Sequence, residues 1–158
     1  MSEWQTFSDL LVEENRLLGE LGTATLILTD ALVNNEPAAI ERAERVVESR
    51  RLLHGNAYAK RVAMQKRGFG ALTLPQVCGY APAALRRTMH GTVHELDTRT
   101  LALRLTVQNN KALILAGFER LARTVAVLQR AGTEQTGTYR RRGIVAPPEG
   151  SVIVSRRA

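Results

Sequence analysis

The stretch 105–118, LTVQNNKALILAGF, sets two adjacent asparagines, Asn109 and Asn110, between the apolar runs 103–107 and 112–118. Its reading decides the fold. Apolar residues on both sides recur at three- and four-residue steps, the spacing of a helix face. With Val93 as position a of a heptad, the a series reads Val93, Thr100, Val107, Ile114, Leu121, Leu128 and the d series Met89, Leu96, Leu103, Asn110, Gly117, Thr124. Asn110 then falls in the seam and Asn109 on the opposite flank. A seam asparagine costs stability but fixes register, because its amide finds a partner in only one alignment.

Outward from this stretch, nothing but single glycines interrupts a helical pattern from about 82 to 131, and a lone glycine costs about 1 kcal/mol in a helix. This is helix 3. Before it, RGFGA at 67–71 breaks a helix, and LTLPQVCGYAP at 72–82 reads as a connector with one helical turn between its prolines. Helix 2, about 37–66, carries a thin stripe of Ile40, Ala43, Val47, Leu53, Ala57 and Met64. Helix 1, about 3–33, is stronger: Trp4, Phe7, Leu11, Leu18, Leu21, Thr25, Leu28 and Leu32 line one face, and Ser2 with Gln5 has the form of a capping box. The short NNEP link, with Pro37 suited to a first helical position, makes helices 1 and 2 antiparallel neighbours.

The expected fold is therefore all-α: an elongated antiparallel bundle of about three long helices over 1–131, followed by a mostly irregular, flexible basic tail at 132–158. Gly, Pro, Ser, Thr and Arg dominate that tail, and only SVIVS at 151–155 supplies apolar content. At 158 residues the chain is long enough to bury a core. Its one cysteine, Cys78, excludes an internal disulfide and reads as a small buried residue.

The net charge of +7 is unevenly spread. Residues 1–36 hold one basic and seven acidic side chains, whereas 37–71 and 72–131 each hold eight basic and three acidic. Complementarity between the first helix and the rest accounts for this better than a nucleic-acid footprint does, and seven scattered aromatics offer no base-stacking platform. The acidic first twenty residues do not read as a signal peptide, and no apolar run approaches the roughly 20 residues of a membrane span. A cytoplasmic location, without membrane insertion, is the expectation.

Catalytic signals are sparse. His90, His94 and Asp97 share one helix edge, but the set is incomplete for a structural metal site, and solvated surface residues are the expected reading. No strand precedes a glycine-rich turn, so no phosphate cradle is visible. The chain reads as a non-enzyme with no cofactor and no metal.

Beyond Asn110 the apolar surface of helix 3 widens: Leu113, Leu115, Phe118, Ala122, Val125 and Val127 add to the seam while its d positions shrink to Gly117 and Thr124. That is more apolar surface than a thin, basic helix 2 can cover. Either the chain itself covers this helix on several sides, or it offers a face that accepts a partner helix; the shortage of internal cover favours the second, with Leu113, Ile114, Gly117, Phe118, Leu121, Val125 and Leu128 as the binding residues and Asn110 fixing alignment. A structural coiled-coil or assembly-adaptor module that self-associates through helix 3, as a homodimer, is the alternative.

In the order of its parts the chain resembles the flagellar export chaperones of the FlgN type. The resemblance lies in an acidic leucine-rich first helix (LLVEENRLLGEL), a basic second helix, the linker GALTLPQV, a long helix containing QNNKALI, then TYRRRG and a terminal SRRA. It spans almost the whole chain. It implies a cytoplasmic protein that holds the terminal helices of hook-filament junction (hook-associated) proteins, prevents their early assembly and brings them to the type III export gate. It also implies that the C-terminal half carries the cargo and that a tyrosine beyond the long helix, here matching Tyr139, touches the gate.

Overall fold

The computed structural model describes residues 2–141, with side-chain surroundings through 131. Its elements are α1 (Glu3–Asn34), α2 (Pro37–Phe69), α3 (Leu74–Tyr80) and α4 (Ala83–Arg141). The described chain is all-α, with three long helices. By contacts it divides into one unit of Met1–Ile114 and another of Leu115–Ala158.

Local chemistry explains the breaks. Ser2 Oγ accepts from the Gln5 N–H at 3.2 Å and caps α1. The expected capping box is only half made, because the Gln5 amide instead donates forward to Asp9 at 2.9 Å. At the other end Asn35 takes the left-handed conformation, φ 53°, which an Asn tolerates better than most residues, and Pro37 opens α2 where a missing N–H costs nothing. α2 stops at Gly70, φ 64°. In the connector, Gln76 Oε1 accepts from both the Thr73 N–H, at 2.8 Å, and the Thr73 hydroxyl, at 2.9 Å, which starts α3 just before Pro75. α3 ends before Pro82, so the turn expected between the prolines is a two-turn helix. α4 continues to Arg141, past the expected end near 131; Gly132 does not break it. Residues 142–158, most of the expected tail, lie outside the described residues.

Within Met1–Ile114 the core lies where α3 closes over the start of α1, the end of α2 and the start of α4. Phe7 and Leu11 from α1, Met64 from α2, Val77 and Cys78 from α3, and Met89 and Val93 from α4 are buried together. Phe69 packs between Trp4 (ring centroids 4.6 Å) and Phe7 (5.1 Å, edge-on). Burying such side chains contributes on the order of 1.5–3 kcal/mol each.

Polar contacts set the register of the helices. Glu14 and Arg61 form a buried bidentate pair between α1 and α2, at 2.7 and 3.2 Å, and Glu20 meets Arg50 at 2.9 Å. Positions rise in α1 as they fall in α2, so the two are antiparallel. Asn15 donates to Glu95 at 2.7 Å, and Asn110 meets Thr25 and Thr29. Here positions rise together, so α4 runs parallel to α1, as the third member of an up-down-up arrangement must. The charge complementarity expected of the acidic first helix is present as the Glu14–Arg61 and Glu20–Arg50 pairs.

Two details of the expected stripes need correction. Leu53 is exposed, and the inward face of α2 passes instead through Ala43, Val47, Arg50, His54, Ala57, Arg61 and Met64. On α4, Val107 is 51 % exposed and Thr106 takes its inward place. A helix of 3.6 residues per turn drifts about 20° per heptad from a strict 3.5 repeat, enough to rotate Val107 out.

Among the described residues one helix, α1, is by length and composition apolar enough to cross a membrane. The expectation from apolar runs missed this because Gly, Ala and Thr dilute the leucines without making the segment polar. Here α1 buries Glu14 and Asn15 against its neighbours.

Candidate partner-binding face on α4

The seam residues divide sharply in environment. Met89, Val93, Leu96 and Asn110 are buried and Leu103 is half-buried, all within the first unit. Asn110, 5 % exposed, accepts from the Thr29 hydroxyl through Oδ1 at 2.7 Å and directs Nδ2 at the Thr25 carbonyl at 3.4 Å. Its amide thus fixes an alignment as a seam asparagine does, but against α1 of the same chain. It is not open to a partner. Leu113 is half-buried, and Ile114, the last residue of the first unit, is exposed.

From Leu115 onward the environment changes. Phe118 (65 % exposed), Leu121 (60 %), Val125 and Leu128 (65 %) recur at three- and four-residue steps, with Gly117 in the same register. Four apolar side chains at this spacing fall on one side of a helix. Leu115 and Val127 are exposed as well. Isolated exposed apolar residues are ordinary; a continuous stripe on one helix is not. Each of these side chains keeps apolar area in water that a second helix would remove.

Away from the stripe, α4 has a cationic flank, with Arg123 on the side opposite Leu121 and Val125. Arg120, Arg123, Thr124, Val127 and Leu128 line a shallow notch. Arg123 has an i,i+4 contact with Glu119 at 3.8 Å, between side chains that are both largely exposed. The Arg120 side chain has no partner among the described residues. Sequence reasoning named the apolar stripe but passed over these arginines; their position beside the seam residues Thr124 and Leu128 was the available signal.

Tyr139 falls within the span of α4, but its side chain lies outside the described residues. His90, His94 and Asp97 are exposed along α4, and among the described residues no group of three His, Cys, Asp or Glu side chains could hold a metal ion. Cys78 is fully buried in the core, where desolvation pushes its thiol above the usual range. That placement suits packing and not nucleophilic attack.

No protein-family model, curated protein or solved structure matches this chain.

Proposed function

We propose that the chain is a cytoplasmic export chaperone of the FlgN type, which binds the terminal helices of hook-filament junction proteins, prevents their premature assembly and delivers them to the flagellar type III export apparatus. The observation that carries this is the exposed stripe Phe118, Leu121, Val125, Leu128 on α4. A cargo's amphipathic terminal helix self-associates through its apolar side, and heterologous packing on such a stripe substitutes for that contact. Removing apolar surface from water supplies about 25 cal/mol per Å², offset by the cost of ordering the incoming helix. The order of sequence parts, from LLVEENRLLGEL to TYRRRG, supplies the flagellar identity of the cargo, and Tyr139 is the residue assigned to the export gate. Nothing in this role requires catalysis, a cofactor or a metal.

The test uses purified hook-filament junction proteins. Stoichiometric binding of their terminal helical segments, together with suppression of their self-assembly by the full chain, is the expected result. Absence of both overturns the reading. The rival, a structural module that self-associates through α4, draws on the same stripe and predicts a concentration-dependent dimer without cargo; sedimentation of the pure protein distinguishes the two.

A further inference from the structure

Independently of the α4 stripe, we infer that the end of the first unit closed by α3 docks on an anionic phospholipid surface, lying on it without spanning it. Residues 49–94 carry eight Lys and Arg side chains and no Asp or Glu. Glu20, Glu48 and Glu14 engage Arg50, Arg51 and Arg61, so the uncompensated charge lies toward the α3 end. There two exposed basic pairs, Lys66 with Arg67 in the last turn of α2 and Arg86 with Arg87 at the start of α4, flank residues 68–85, which hold no charged side chain. The fold brings both pairs to one end. Met64 and Phe69 of α2, Val77 and Cys78 of α3, and Leu85 and Met89 of α4 share one core, Gln65 donates to the Leu72 carbonyl at 2.7 Å, and Arg86 donates to the Ala81 carbonyl at 3.0 Å. The uncharged segment closes over that core, and its outer residues Pro75, Gln76, Gly79 and Tyr80 face solvent, Tyr80 at 71 % exposure.

α1 also begins at this end and adds two exposed acids, Glu3 and Asp9, the latter accepting from Gln5. Four cations against two acids leave the end positive. Helix-end chemistry explains part of the set, since Lys66 and Arg67 meet the negative end of α2 and Arg86 satisfies a carbonyl at the end of α3. It does not explain Arg87, or an exposed tyrosine in the middle of an uncharged segment. Cations from two helices around a tyrosine-bearing, uncharged centre suit a surface seated at headgroup level. Their long stems carry the charges out to lipid phosphates, and the Tyr80 ring lies at the apolar boundary with its hydroxyl toward water. Nucleic acid asks instead for charge along a continuous track and for several stacking rings; the middle of this end is uncharged and exposes one aromatic. An acidic protein segment would use the cations but has no particular use for the neutral centre between them.

Co-sedimentation of the full chain with vesicles of phosphatidylcholine, alone or mixed with phosphatidylglycerol, tests this. Binding is expected with the anionic mixture only, and should fall as ionic strength rises. Lys66→Gln/Arg67→Gln/Arg87→Gln, which leaves the Arg86 contact in place, should lower partition onto the mixed vesicles at least about tenfold with little change in melting temperature. Tyr80→Ser should lower it several-fold on its own. Phe118→Ser/Leu121→Ser, which removes the α4 stripe, should leave it unchanged, so the outcome here is separate from that of the cargo-binding test. No binding to anionic vesicles, equal binding to phosphatidylcholine alone, or parental binding by the triple variant or by Tyr80→Ser would overturn the inference; in the last two cases other cations of the chain hold the lipid. Release by inorganic phosphate at matched ionic strength would reduce the surface to a simple anion site. Tighter binding to duplex DNA or to polyglutamate than to the vesicles would assign it to nucleic acid or to an acidic protein, and would equally overturn it.

Discussion

The Thr29 hydroxyl donates to Asn110 Oδ1 across the α1–α4 interface at 2.7 Å, the contact that aligns two parallel helices over residues far apart in sequence. Thr29 Oγ1 also lies 3.0 Å from the Thr25 carbonyl of its own helix, and Asn110 Nδ2 reaches that carbonyl at 3.4 Å. Three polar groups therefore close on one another in a buried setting, where any one left alone costs free energy.

Asn110→Ala should lower stability by about 1 kcal/mol, because the Thr29 hydroxyl retains the Thr25 carbonyl as an acceptor. A double-mutant cycle with Thr29→Val should return a coupling of at least about 0.5 kcal/mol. Additive effects in urea melts would mean that the two side chains do not act as a pair.

The Glu14–Arg61 pair is nearly water-free: the two side chains are 5 % and 9 % exposed, and Arg61 also donates to Gln65 at 2.7 Å. Arg61→Met leaves the Glu14 carboxylate buried without its partner and should cost about 3–5 kcal/mol. Replacing both residues by Leu should recover most of that, since no buried charge remains. A double variant no more stable than the single one would show that the pair contributes more than its own desolvation cost.

Much of this architecture was legible, and each exception has a physical cause. Most helix ends were readable because Ser2, Pro37, Gly70 and the prolines of the connector act locally; the end of α4 was not, since Gly132 leaves the helix running to Arg141. The inward faces were read from apolar spacing, which cannot register Arg61 or His54 as inward residues, since only the carboxylate of Glu14 on another helix makes a buried Arg61 tolerable. Val107 failed for a geometric reason, the drift of a straight helix from a strict heptad. Asn110 was read correctly as a register device. Its partners, Thr25 and Thr29, lie some eighty residues away and left no trace in the spacing. The α4 stripe was legible as apolar surplus, whereas the cationic notch needed the helix edge to be seen.

Gly19 lies against Arg99, whose Nη1 donates to the Asn15 carbonyl at 2.7 Å; a Cβ at Gly19 would come within 2.6 Å of that nitrogen. Gly19→Ala gains about 1 kcal/mol of helix propensity but displaces a charged hydrogen bond worth about 1.5–3 kcal/mol. The variant should therefore be neutral to mildly destabilised. In an Arg99→Ala background the same change should stabilise by about 1 kcal/mol. Gly22→Ala, which meets nothing within 4 Å, should stabilise in either background. Equal effects of Gly19→Ala in both backgrounds, read from thermal melts, would discard the Arg99 contact.

Cys78 titrates above its ordinary range because burial penalises the thiolate. Its folded pKa is raised, so the contribution to stability is intact below the unfolded thiol value of about 8.5 and is lost as pH rises from there toward the folded value. Alkylation by iodoacetamide at neutral pH should be at least about tenfold slower in the native protein than in the urea-unfolded chain. Matching rates would place the thiol at the surface.

Phe118 and Leu121 separate a partner-binding face from a plain bundle helix. Both are largely exposed, so changing both to Ser removes little from the folded protein's own packing, and the melting temperature should barely move. Were they core residues, the loss would be on the order of 2–5 kcal/mol for each. Binding of a junction-protein terminal helix should instead weaken strongly, because the two side chains are half of the four that form the stripe, and Phe118 is its one large aromatic. Calorimetry and thermal melts on the same preparation read the two effects separately. A marked drop in melting temperature, with binding unchanged per folded molecule, would turn the stripe into structure and leave the self-associating module as the better account.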